Sequence, residues 1–344
     1  MRTSERARGR HGALALAVGS LSLLTGCSIL RPPLDLAALG AEATHLSDVP
    51  FFAQTAYQCG PASLAGLLGA TGLEVVPEDL RPQVYLPERR GSLQVELLGA
   101  ARRAGRIPYV VDSEPEAILA ELREGRPVLV MQNLRTPGFP VWHYAVVVGH
   151  DPARNRFLVN TGTKERRDEN ARSFLRRWNW ANRWGFVALV PGELPALADP
   201  LRYAEAVAAF EPVGGAAGAE AAWRAALERW PDDPRPHLAL GNLAHAEGDR
   251  VGAIGFYREG LARDPEHVVL ANNLASVLGE IGCPRAGASV LRPLARALAE
   301  DSPWREAVSA TLAELAARPG ADAERCRTLA RAVSEGSTPR HPTF

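Results

Sequence analysis

Apolar and polar positions change rhythm along this chain, and each change marks a different kind of segment. The apolar run 13–24 follows Arg2, Arg6, Arg8 and Arg10. It is shorter than the roughly 20 residues that cross a bilayer, and a basic start before a short apolar core is the pattern of an export signal. A Pro- and Ala-rich stretch then runs to about residue 47 and reads as a tether. Residues 60–70 are small and apolar and predict a helix opening just after Cys59. Two more helices are expected over 93–104 and 115–124, each stopped by a glycine, at Gly105 and Gly125. Strands are expected over 109–111, 128–132, 143–148, 157–160 and 186–190. Helices first and strands after is an α+β order, and the strands after His143 are close enough to pair antiparallel. From about residue 198 the texture turns to Ala, Leu, Glu and Arg, which is all-α.

In that helical half, residues recur at an interval of 34. Leu240-Gly241 returns as Leu274-Ala275, and Gly248 as Gly282 and, upstream, Gly214. Ala253 matches Ala219 and Gly287, Tyr257 matches Trp223 and Leu291, Leu261 matches Leu227, and Pro265 matches Pro231. This period resembles the tetratricopeptide repeat, with the best copy over about 234–267. The first copy is degenerate around Gly214-Gly215, and the third lacks its final proline. The resemblance implies a concave face that holds an extended peptide or partner protein. His237, Asn242, His245, Asn272 and Asn273 are its polar inner positions. Helices around 304–317 and 323–333 are expected to cap the stack.

The charge balance removes one class of function. Lys plus Arg equals Asp plus Glu at 39 each, so no net charge draws the chain to nucleic acid. Hydrophobic residues at 46% fit a globular chain. The four cysteines are too few and too scattered for a disulfide scaffold or a zinc site, so each needs its own account. Cys27 closes Leu24-Thr25-Gly26-Cys27, which resembles the lipobox of bacterial lipoproteins. That resemblance implies cleavage before Cys27, acylation of its thiol and, with Ser28 following, the outer membrane. Cys283 and Cys326 are the pair left once lipid and catalysis are assigned. In an exported protein they can form a disulfide, with two buried thiols as the alternative.

Candidate chemistry concentrates in Val49-Pro50-Phe51-Phe52-Ala53-Gln54-Thr55-Ala56-Tyr57-Gln58-Cys59-Gly60-Pro61. A thiol at a helix start gains from the helix dipole, which favours the thiolate and leads one to expect a lowered pKa for Cys59. Gly60 permits close approach of a substrate backbone, and Pro61 suits a first helical turn. Gln54 has an amide able to donate to a developing oxyanion. His143 opens an apolar strand and Asn160 ends the next, so a hairpin can bring them to one edge, Asn160 accepting the imidazole N–H. The order Gln, Cys-Gly, His on a strand, then Asp or Asn one strand later resembles the papain-like peptidase clan. Within it, the bacteriocin-processing, double-glycine-leader peptidases are the nearer likeness, over about 46–194. The resemblance implies Cys59 as nucleophile, His143 as general base and acid, Gln54 as oxyanion donor and Asn160 as orienter. Two departures stand out: Asn rather than the commoner Asp in the last place, and Gln54 five residues before the cysteine instead of six. His150 is the alternative base and Asp151 the alternative orienter, although Asp151-Pro152-Ala153-Arg154-Asn155 reads as a turn. By period-two counting His150 falls on the opposite strand face from His143. Trp178, Trp180 and Trp184 read as core and rim packing.

These readings divide the chain into an export signal (1–26), a lipid-anchored tether (27–47) and a papain-like α+β domain (48–195). Tetratricopeptide-type repeats (196–300) and capping helices with a tail (301–344) complete it. The expected protein is a lipid-anchored thiol peptidase of the bacterial cell envelope, at the outer membrane and facing the periplasm. Its partners are a peptide or protein substrate, a protein docked by the repeats, and the membrane through the lipid. Thiol chemistry calls for no cofactor and no metal. Two other classes stay open: a catalytically silent peptide-binding or assembly lipoprotein, and acyl transfer by the same thiol.

Overall fold

The computed structural model describes residues 35–39, 42–54, 58–319 and 326. The expected export signal with Cys27, the segment 55–57, and the second expected capping helix apart from Cys326 lie outside the described residues. Strands β1 (Thr44–His45), β2 (Ile107–Val110), β3 (Val128–Asn133), β4 (Trp142–Asp151), β5 (Arg156–Thr161), β6 (Lys164–Asn170) and β7 (Gly185–Leu189) share one antiparallel sheet. Its order is β2-β7-β3-β4-β5-β6, with β1 added at the far end of β4.

Helices α1 (Cys59–Gly69), α2 (Pro77–Val84) and α3 (Gln94–Arg103) cover one face. Leu64, Leu67 and Leu68 of α1 meet Leu80, Val84 and Leu97 over Leu129, Tyr144 and Phe186 of the sheet. Because α1 is buried on almost every side, its sequence carries no polar stripe. Small residues bring it close: a Cβ on Gly66 would stand 2.8 Å from the Pro50 carbonyl oxygen. Helix α4 (Pro115–Arg123) links β2 to β3. Helix α5 (Ala171–Asn179) closes the other face, where Phe174 stacks on Phe157 with centroids 4.4 Å apart. Trp178 is fully buried and donates from Nε1 to the Trp184 carbonyl at 3.0 Å, while Trp184 packs on Tyr144 and Phe186. These two tryptophans are core packing.

Helices α6 (Pro200–Gly214), α7 (Ala216–Arg229), α8 (Pro234–Ala246), α9 (Arg250–Arg263), α10 (Val268–Glu280), α11 (Pro284–Ala297) and α12 (Arg305–Ala317) follow. Pro200, Pro234 and Val268 open the first helix of successive pairs, and Ala216, Arg250 and Pro284 the second, so the pairs repeat every 34 residues. Packing explains the recurring residues. A Cβ on Gly241 would lie 2.3 Å from the Tyr257 ring, so the glycine makes room for the aromatic of the next helix. Gly248 and Gly282 take φ of +84°, the left-handed turn that ends α8 and α10. In the first pair the break falls on Gly215, one residue beyond the expected Gly214, with φ +86° but an extended ψ of 160° in place of that turn. His237 is buried, with Nε2 3.4 Å from the Pro231 carbonyl, and so is not part of an open polar face.

Glu121, buried in α4, pins the connection between the two halves: its carboxylate accepts from Arg126 and from the Ala196 N–H at 2.8 Å. Tyr203 of α6 donates its hydroxyl to the Glu193 carbonyl at 2.9 Å. At the other end Cys283 and Cys326 are joined in a disulfide, Cα to Cα 5.8 Å, across a separation of 43 residues. Closing a loop of that length is expected to contribute about 2–4 kcal/mol. The denatured, unreduced protein should therefore weigh about 2 Da less than the reduced one. Cys283→Ser should lower the urea midpoint accordingly; an unchanged mass on reduction would remove the bridge.

Candidate active site

Cys59 is the first residue of α1, and Gln58 before it provides no side-chain cap. The first-turn amides are left to whatever sits at the helix end, here the thiol. Gly60 is required on steric grounds, since a Cβ there would lie 2.2 Å from Ser92 Oγ. The amides of Tyr144, Gly60 and Cys59 favour the thiolate, yet burial is the larger effect and pushes the thiol up from its ordinary value. Magnitudes give the same sign. A helix N-terminus is worth about 0.3–1 kcal/mol, whereas full burial of a charge moves a pKa by up to about 3–5 units. The lowered pKa expected from the helix start is thus reversed by burial.

Strand β4 supplies the other half. Its pairing with β5 stops at Val146–Asn160, and beyond that point the Tyr144 peptide turns to α1. The Tyr144 carbonyl accepts from Ser63 Oγ at 3.0 Å, while its N–H faces the Cys59 sulfur. Ser63, one helical turn after Cys59, accepts from Gln54 Nε2 at 3.3 Å. The Gln54 N–H donates to the Gly162 carbonyl at 2.9 Å. The backbone of one residue, Tyr144, next to His143, thus holds the thiol and Ser63 of its helix, and Ser63 passes the link through Gln54 to the end of β5.

His143 is partly buried, and its Nε2 lies 2.7 Å from the Thr161 hydroxyl. Asn160 is not brought to the ring. In register it stands opposite Val146, three residues from His143, so the two side chains leave the sheet on opposite faces. Its Oδ1 accepts the Arg166 N–H at 2.8 Å instead, at a bulge in β6 where Arg166 takes φ of +46°. The carboxamide satisfies an amide displaced from the ladder. Geometry therefore replaces Asn160 with Thr161 as the ring's partner. Burial first, then Arg167 and Arg177, push the imidazole down to about 4. A hydroxyl carries no charge to oppose them.

With the thiol raised and the imidazole depressed, both groups rest neutral. Alkylation of Cys59 by iodoacetamide should therefore keep rising with pH through and beyond pH 9, the neutral-thiol side of its shifted pKa. A plateau reached between about pH 5 and 8 would reveal a thiolate–imidazolium pair and contradict that state.

The alternatives lie elsewhere. Asp151 accepts the Arg154 N–H at 3.0 Å and closes the β4–β5 turn. His150 is buried at the opposite end of β4, paired with Thr44 and Phe157. Val148 is an extra residue in β4, which cancels the period-two count and turns His150 to the Phe157 side. Sequence reasoning missed Ser63 and Thr161. Their signals were a hydroxyl one turn after the thiol, and a hydroxyl at the residue after Asn160, on the alternate face.

An α+β domain that sets a helix-start thiol against a histidine-bearing strand has the layout of a thiol peptidase. Residues 46–185 match the Peptidase_C39 like family, so this domain is C39-peptidase-like. Among solved structures, a C39-like peptidase from Bacillus anthracis is 17% identical, with a TM-score of 0.36, covering 43% of this chain and 98% of its own. A double-glycine-motif protease of an AMS/PCAT transporter, solved with its leader peptide, is 23% identical, with a TM-score of 0.34, covering 42% and 93%. No curated protein sequence matches the chain.

Proposed function

We propose that the protein is a thiol peptidase, held in the bacterial envelope by a lipid on Cys27 and facing the periplasm. The observation that supports it most is the convergence of Cys59 and Ser63 on the Tyr144 backbone beside His143, with Gln54 bonded to Ser63. In this reading Nε2–H of His143 donates to Thr161, which leaves Nδ1 free as the base. The imidazole takes the Cys59 proton as sulfur adds to the scissile carbonyl, so a neutral resting pair becomes charged only during the reaction. The oxyanion meets the Cys59 amide and the Gln54 carboxamide. His143 then protonates the departing amine, and later deprotonates the water that hydrolyses the thioester. Thr161 takes the orienting place; Asn160 supports the bulge. No metal or cofactor enters these steps.

The repeats, tetratricopeptide-like in this reading, hold a substrate or partner near the thiol and raise its local concentration. Asn242, His245, Asn272, Asn273 and Ser276 line a cavity of about 260 Å³ suited to hydrogen-bonding a peptide backbone. The test is a periplasmic peptide pool incubated with the wild-type protein and with Cys59→Ala. New termini are expected with wild type alone. A pool left unchanged by both, together with no labelling of Cys59 by a peptidyl vinyl sulfone, would overturn the reading.

A further inference from the structure

Positive charge gathers near His143, in a chain whose charges balance overall. Each carboxylate between Lys164 and Arg177 is already engaged: Glu165 by Arg166, Asp168 by Arg154 and Arg156, and Glu169, which is buried, by Arg177. Lys164, Arg167, Arg172 and Arg176 are exposed and have no acidic partner among the described residues, although Arg176 lies over the Trp180 ring. Charged side chains on an edge strand such as β6 also block edge-to-edge pairing, but either sign does that. An uncompensated positive run needs another reason.

Register selects the cation that matters. Arg167 stands opposite Val159, and Thr161 is two residues further along β5, so Arg167, Thr161 and His143 share one sheet face. The ring's own partner there is an uncharged hydroxyl. We propose that the substrate supplies the missing negative charge: an Asp, Glu or terminal carboxylate of the peptide pairs with Arg167 and completes the site beside His143. This rests on the peptidase reading given above. Arg167 and Arg177 are the charges that depress the imidazole, and an anion on Arg167 cancels part of that field. An acidic substrate therefore gains in kcat as well as in KM, because docking also strengthens the base. The remaining cations along β6 and α5 steer acidic segments toward the same edge.

The experiment uses pairs of peptides drawn from those that the wild-type protein cleaves, each Asp- or Glu-bearing member matched by its Asn or Gln twin. Binding is measured by fluorescence anisotropy on the full-length Cys59→Ala protein, and cleavage on wild type. The acidic twin should bind at least about fivefold tighter at low salt, an advantage lost in Arg167→Gln at unchanged melting temperature. In Arg167→Glu the preference should invert toward a Lys-bearing twin, and on wild type the acidic twin should also show the higher kcat. Equal affinity of the twins, with Cys59-dependent cleavage intact, would overturn this inference and leave the peptidase reading standing. Discrimination by Arg167 with cleavage that persists undiminished in Cys59→Ala would do the reverse. Arg167-dependent binding to phosphatidylglycerol vesicles with no preference between the twins would assign the patch to a membrane and also overturn the proposal.

Discussion

Replacing His143 with alanine is expected to lower kcat/KM for peptide cleavage by about 10³-fold, within the range of about 10²–10⁴ typical of a positioned general base. The dependence should be strong because the Cys59 thiol is pushed up by burial and does not ionise on its own near neutral pH. Cys59→Ala should abolish cleavage altogether, and the double variant should be no worse than Cys59→Ala alone, since the two groups act as a unit. Asn160→Ala is the informative contrast. It leaves the displaced Arg166 amide without its acceptor, which should cost about 1–3 kcal/mol of stability with little change in rate below the melting transition. A large loss of kcat at unchanged stability would return Asn160 to the imidazole and remove Thr161 from the mechanism.

The sequence disclosed those parts of the fold whose burial is written in side-chain type. Strands β3, β4 and β7 are apolar runs, and α1 is a small apolar segment between Cys59 and the turn after Gly69. The 34-residue period was visible because Gly241, Gly248 and Gly282 each meet a backbone or packing demand that recurs with the helix pairs. Strand β6 was invisible: Lys-Glu-Arg-Arg-Asp-Glu-Asn has no apolar residue, and the strand is held by its ladder and by Glu169 on Arg177. Helix α5 shows only Ala171, Phe174 and Trp178 to the core, too sparse a stripe to announce itself among arginines. At the site, residue order pointed to Cys59, Gln54, His143 and Asn160 but gave no sign that Thr161 would bond the His143 ring. The register of β4 on β5, shifted by the extra residue Val148, decides whether Asn160 or Thr161 shares a face with His143, and a bulge has no signature in residue spacing. The direction of the Cys59 shift was equally hidden, because the helix start is local while the burial that outweighs it comes from residues distant in sequence.

Thr161→Asp should convert the resting site from a neutral pair to an ion pair. The hydroxyl at 2.7 Å from His143 Nε2 would give way to a carboxylate on the same face as Arg167 and Arg177, two cations that keep it ionised. An opposite charge at that range raises an imidazole by about 1–3 units, from the present value of about 4 to about 5–7. A protonated ring in turn stabilises the thiolate, so Cys59 alkylation at pH 6 should rise by about tenfold for each unit by which the thiol falls. The pH profile should acquire an acid plateau that wild type lacks. Thr161→Asn, neutral and close in size to the aspartate, separates charge from shape and should leave the profile rising as in wild type. An unchanged profile in a folded Thr161→Asp protein would mean that the ring is not coupled to position 161. The same variant bears on substrate charge. Once Arg167 has an internal counter-ion, an acidic peptide has less to supply, and its advantage over the amide twin should shrink. A carboxylate from the chain and one from the substrate are then alternatives for one place beside the histidine.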